Sequence, residues 1–183
     1  PSNRARRWSQ SRRCSVAPAE GPHPLWDKVL ERACAANDSV REYLWRWFGY
    51  MLTGSVQEEA FMFLHGPGGS GKSTLIKVLT EILADYAVTI SMDALTESPH
   101  QRHSQEIAKL EGARLVYASE TEEGRRFKES LIKWLTGGDK IVAHKMRMDG
   151  REFKPTFKIL VYGNSVPHLK SVGEEMRRRI HLV

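Results

Sequence analysis

The chain has 183 residues, 40% hydrophobic and 27% charged, enough for one globular core and no more than a helical extension beside it. No apolar run approaches the roughly 20 residues that cross a bilayer, and the Arg- and Ser-rich start lacks an apolar signal segment, so a membrane or secreted protein is excluded and a cytoplasmic one expected. The net charge of +6 is uneven: residues 1–20 hold Arg4, Arg6, Arg7, Arg12 and Arg13 against Glu20, leaving +2 for the rest, so global charge does not by itself indicate a nucleic-acid partner.

In chain order, residues 1–24 read as a basic flexible tail or linker, with a DNA-binding arm as the alternative. Cys14 and Cys34 lack metal-ligand spacing and read as free thiols. Residues 25–58 form a helical segment. Leu25, Trp26, Val29, Leu30 and Ala33 share one helical face. Asn37-Asp38-Ser39 supplies an N-cap for a second stripe of Val40, Tyr43, Leu44, Trp47, Phe48, Met51 and Leu52. Those aromatics share the stripe with aliphatics, which predicts core rather than a base-stacking platform.

Residues 59–183 read as a second, larger unit of alternating strands and helices. Ala60–His65 is a short apolar strand, and the helix after the next loop buries Leu75, Ile76, Leu79, Ile82 and Leu83. A strand near Ala87–Ser91, a helix near Ser104–Glu111 and a strand at Arg114–Ser119 follow. A helix over Arg126–Leu135 stops at Gly137-Gly138. Extended stretches flank Asp149-Gly150, a hairpin-turn pair. Phe157–Tyr162 is a core strand ending at Gly163-Asn164, and a last strand starts at Ile180. Strands alternating with helices predict an α/β fold with a mostly parallel sheet. The chain starts at Pro1 without Met and stops inside an apolar run, as a piece of a longer protein would, with the core cut short at its C-terminus.

Gly66-Pro67-Gly68-Gly69-Ser70-Gly71-Lys72-Ser73 satisfies the G-x-x-x-x-G-K-[ST] phosphate loop between a strand and a helix. The glycines let backbone N–H groups converge on phosphates, and the helix N-terminus adds partial positive charge. Lys72 would reach the β- and γ-phosphates of ATP and Ser73 would ligate Mg²⁺; Thr74, the next helical residue, is expected to pack. The motif specifies nucleotide binding and nothing finer.

An ATPase needs an acid beyond a buried strand. Glu120, at the mouth of Val116–Ser119, is the candidate Walker B acid and second metal holder. Glu122 or Glu123 is the candidate water-orienting base. Asn164 ends the later strand, where ligands bind in open α/β sheets, and could orient the attacking water or act as a turn residue. Arg177-Arg178-Arg179 precedes Ile180. Arginine suits an anionic transition state, although such a run is most often solvated.

With these elements in order, the chain resembles the superfamily 3 helicases of the AAA+ class, more narrowly the helicase domain of phage, plasmid and poxvirus primase–helicases. The resemblance runs from about Leu25 to Val183. It is carried by Gly49–Gly54, His65–Thr74, Ala113–Gly124, Ser130–Asp139 and Phe153–Asn164. It implies that Lys72 and Ser73 bind nucleotide and Mg²⁺, Glu120 is the Walker B acid and Asn164 the sensor. It places the arginine finger at Arg179, with Arg178 close behind. Because that finger acts on the next subunit's ATP, a homo-oligomeric ring, typically a hexamer, is implied. Lys145 and Arg147, with His144 third, match the basic hairpin that grips single-stranded or forked DNA, though the tip departs from the family's Lys-His or Lys-rich form. An N-terminal primase domain in the full-length protein and a role in replicating a phage, plasmid or virus in its host cell are also implied. The rival readings are a P-loop small-molecule kinase and an ATP-gated DNA-binding switch.

Overall fold

The computed structural model describes residues 12–97, 103–120, 123–143, 150–166, 168–169 and 173–183. Two helices open it, α1 (Pro24–Ala33) and α2 (Asp38–Leu52). Proline in the first turn of α1 loses no helical hydrogen bond, since that N–H would be unpaired anyway. The Asn37 side chain caps α2 by accepting from the N–H groups of Ser39 and Val40. Leu44, Trp47, Phe48 and Met51 are buried as the stripe predicts. Leu25 and Leu52, assigned to the same apolar faces, are instead 78% and 61% exposed, because each lies near a helix end that the sheet does not cover.

The core is a five-stranded sheet of β1 (Phe61–His65), β2 (Ala87–Thr89), β3 (Leu115–Glu120), β6 (Lys158–Gly163) and β7 (Ile180–Leu182), in the order β2-β3-β6-β1-β7. Every pairing in it is parallel. A parallel sheet needs both faces covered, which is why its strands read as continuous apolar runs. Phe61 and Phe63 of β1, Val116 and Ala118 of β3, and Ile159 and Val161 of β6 enter one core, with Phe127, Ile132 and Leu135. Met62, Leu64, Leu115 and Leu160 enter the other, with α2 and with α3 (Lys72–Leu83). Each such side chain contributes about 1.5–3 kcal/mol by leaving water. The helical segment 25–58 thus closes one face of the sheet rather than standing apart from it. Tyr43 of α2 also hydrogen-bonds His181 of β7.

Ile82, expected on the buried side of α3, is 39% exposed; the packed face runs through Leu75, Ile76, Leu79 and Leu83. Residues 12–15, read from sequence as part of a flexible tail, lie against this helix and the turn after it. Arg12 donates to the carbonyls of Asp85 and Glu111, while the Ser15 N–H and hydroxyl donate to Ile82 O and Glu81 O.

A short helix unforeseen from sequence, α4 (Met92–Leu95), follows β2, and then comes α5 (His103–Ala108). The helix expected from Arg126 starts later, as α6 (Glu129–Thr136). Arg126 and Phe127 instead bridge in extended form to His168 and Thr96. A separate antiparallel pair, β4 (Ile141–Ala143) with β5 (Arg151–Phe153), makes the predicted hairpin stem, reinforced by Lys140–Glu152 at 2.6 Å. Its turn at Asp149 lies outside the described residues. One further short helix, α7 (Glu174–Arg177), leads into β7.

Candidate nucleotide-binding site

Strand β1 delivers the chain to the glycine-rich loop at the C-terminal edge of the sheet. Gly69 (φ +80°) and Gly71 (φ +91°) occupy the left-handed region that a side chain would strain, and Gly71 then caps α3. The helix starts at Lys72, so its first N–H groups face the loop. The Lys72 ammonium is folded over the cradle, donating to Gly66 O at 2.6 Å, Pro67 O at 3.0 Å and Ser70 Oγ at 3.0 Å.

The strand order brings three further groups to the same place. β6 lies between β1 and β3, with Gly163 in register with both His65 and Glu120. Asn164, one residue on, accepts from Lys72 Nζ through Oδ1 at 3.3 Å. Glu120 is 6% exposed at the end of β3, and Arg125 Nε lies 4.0 Å from its Oε1. Glu123 accepts from the Ser165 hydroxyl at 3.1 Å. A cavity of about 590 Å³ is lined by the loop, Lys72, Ser73, Glu120, Glu123 and Asn164. Thr74, expected to pack, is exposed and also lines it.

Sequence reasoning missed Gly163. A Cβ there would stand 2.8 Å from Glu120 Cβ and 3.1 Å from its carbonyl, so the missing side chain is what lets Glu120 sit against β6. It also missed Arg125, which pairs with Asp93 of α4 and reaches Thr96 Oγ1 at 3.3 Å. The Gly163-Asn164 step at a strand end was the available signal for the first. Nothing local marked the second.

The arginine run divides. Arg179 is buried at the N-terminal end of β7, where one guanidinium nitrogen pairs with Glu59 and another donates to Glu175 O at 2.9 Å. Arg178 is 64% exposed and only 3.5 Å from the same carboxylate. Both stand at the sheet edge opposite the cradle, because β7 runs parallel to β1 with Ile180 beside Phe61. Neither meets the nucleotide cavity of its own chain. Glu122 and the hairpin residues His144, Lys145 and Arg147 lie outside the described residues.

Ser73 and Glu120 are hard oxygen donors on one cavity beside a lysine, a donor set that suits a magnesium ion retaining part of its water shell. No cluster of three or more His, Cys, Asp or Glu occurs among the described residues, so an all-protein cage for a metal is not built there.

The chain is 32% identical over 147 residues to "Putative helicase L207/L206" of Acanthamoeba polyphaga mimivirus, covering 79% of this chain and 15% of that protein. It is 29% identical over 136 residues to "Putative helicase V13" of Sputnik virophage, covering 70% and 17%. The chain therefore spans about a sixth of the length of these relatives. Among solved structures it superposes on the apo C-terminal region of NrS-1 with a TM-score of 0.71 at 16% identity, covering 92% of this chain and 39% of that one. On JCV helicase the TM-score is 0.51 at 14% identity, covering 84% and 42%. The fold is thus the α/β P-loop type shared with these structures. The family described as "Family of unknown function (DUF5906)" matches residues 64–179, and the chain belongs to it.

Proposed function

We propose that this chain is the motor core of an ATP-driven DNA helicase or translocase of superfamily 3, acting in replication of a virus, phage or plasmid. One observation carries the reading. Lys72, Ser73, Glu120 and Asn164, from three separate elements, converge on one cavity at the C-terminal edge of a parallel sheet. The names of the viral relatives point the same way.

ATP would enter with its phosphates on the loop N–H groups, and Lys72 would exchange Gly66 O and Pro67 O for phosphate oxygens. Magnesium, held through Ser73 and Glu120, would offset charge on the phosphates. Asn164, already within reach of Lys72, would sense the terminal phosphate and orient water. Glu123, whose carboxylate accepts from the Ser165 hydroxyl, would serve as the base for that water.

The finger is better assigned to Arg178 than to Arg179. Arg179 is buried and held inward by Glu59 and Glu175, whereas Arg178, 64% exposed and at 3.5 Å from Glu59, lies on a face remote from its own cavity from which it could reach a neighbouring copy. A homo-oligomeric ring, typically a hexamer, would put that face against the next cradle. The β4–β5 stem would carry Lys145, Arg147 and His144 to single-stranded or forked DNA, and a primase domain would precede this segment in the full-length protein. A P-loop kinase shares the cradle but has no use for an exposed arginine on the opposite edge.

Mixing two inactive variants tests the reading. Lys72→Ala and Arg178→Ala should each lack turnover alone and recover part of it together. Failure to complement, with both variants folded, removes the shared site.

A further inference from the structure

Arg125 and Asp93 do not line the nucleotide cavity, yet they form a charged chain ending at the buried acid. Arg125 is 22% exposed and Glu120 2% exposed at the side chain, with Nε 4.0 Å from Oε1. The same guanidinium pairs with Asp93 on α4 and lies 3.3 Å from Thr96 Oγ1. The backbone around it is pinned on both sides. His168 N donates to Arg125 O at 2.7 Å, Phe127 N donates to His168 O at 3.0 Å, and Glu97 N donates to Arg126 O at 2.9 Å. Arg125 is therefore held at a fixed point beside the acid by two segments, one following Asn164 and one ending α4.

We propose that Arg125 is a positioning residue that supplies the counter-charge at Glu120 and so sets the affinity of the site for its divalent cation, with Asp93 tuning how much of that charge Glu120 feels. This rests on the reading of Glu120 as a metal-holding acid. A fixed positive charge at this distance, largely out of water, opposes a second cation at the same carboxylate. Asp93 draws part of the guanidinium's charge away. The two residues therefore act on the metal with opposite sign. Arg125 lowers metal affinity and Asp93 raises it, while neither lines the nucleotide cavity.

The test is the affinity of a fluorescent ATP analogue for the purified protein in Mg²⁺ and in EDTA, read as the ratio of the two dissociation constants. Arg125→Gln should raise the Mg²⁺ advantage about tenfold and Asp93→Asn should lower it about tenfold, with binding in EDTA unchanged in both. Mere damage to the site would lower both, so a shift in the same direction, or no shift, overturns the proposal. If Arg125→Gln does not fold, Asp93→Asn decides alone. Asp93 is 65% exposed, where a substitution is expected to change stability little, and a ratio at or above wild type overturns the proposal. A wild-type protein whose nucleotide binding ignores Mg²⁺ would instead overturn the underlying reading of Glu120.

Discussion

Lys72 Nζ lies 3.3 Å from Asn164 Oδ1, joining the phosphate loop after β1 to the end of β6 across 92 residues of sequence. That bond exists because β6 is inserted next to β1, so the amide that ends it falls beside the ammonium. It ties the phosphate loop to the strand-end amide, and in the proposed function the lysine would turn from its present acceptors to a phosphate when nucleotide binds.

Removing the ammonium should therefore act on affinity directly. Lys72→Ala is expected to weaken nucleotide binding about tenfold to a hundredfold, as loss of a charged hydrogen-bond donor does. Titration with a fluorescent ATP analogue measures it. Unchanged affinity would mean the loop is not the phosphate site.

Gly163→Ala tests the seat of Glu120. The added methyl meets backbone and Cβ of Glu120 at 2.8–3.1 Å, and neither is the far end of a flexible side chain. Chemical denaturation should show a loss of about 1–3 kcal/mol, accompanied by weaker Mg²⁺-dependent nucleotide binding. A variant as stable as wild type would show that β3 and β6 can separate at this step.

Lys158 predicts a pH dependence. It is 2% exposed at the start of β6, donating to Thr53 O at 2.6 Å and Thr53 Oγ1 at 3.2 Å, with Nζ 4.2 Å from the centre of the Tyr50 ring. Burial, and then the Arg114 charge nearby, push its pKa down from 10.5 to about 8. The folded chain then releases its proton before the unfolded chain does. Stability from this group rises as pH climbs through about 8 and keeps rising toward 10.5. Burial raises the Cys34 pKa above 9.0 and the Tyr43 pKa from 10.0 to about 12, and both act the other way once the unfolded chain begins to lose those protons, so the clean window is pH 8 to 9. Lys158→Met should flatten the rise in denaturation midpoint across that window. A rise of equal slope in the variant would assign it to other groups.

The two arginines should separate by assay. Arg179→Ala removes a buried guanidinium from Glu59 and Glu175 and should cost about 2 kcal/mol or more of stability. Arg178→Ala, on the surface, should stay within about 0.5 kcal/mol of wild type while abolishing hydrolysis in the assembled protein. Equal loss of stability in both would erase the distinction.

Much of this site was legible in the chain itself, for local reasons. The phosphate loop, the Asn37 cap and the burial of β1 are each written in a few consecutive residues, and Glu120 and Asn164 stand where apolar runs meet polar ones. What was hidden depends on pairing over long distances. Nothing near Gly163 says that Glu120 will be its register partner, and nothing near Arg125 names Asp93, 32 residues earlier. Arg178 and Arg179 look alike in sequence and both reach Glu59, and only the burial of Arg179 and its bond to Glu175 O separate them. Leu25, Leu52 and Ile82 fit helical apolar stripes and yet face out, since periodicity marks a face but not how far the sheet extends beneath it.

The most direct test is the ATP hydrolysis rate of the purified protein with and without single-stranded DNA, alongside Lys72→Ala. The account predicts hydrolysis that rises on adding single-stranded DNA and vanishes in the variant. Turnover that survives Lys72→Ala, or a rate indifferent to DNA but driven by a small-molecule phosphate acceptor, would contradict it.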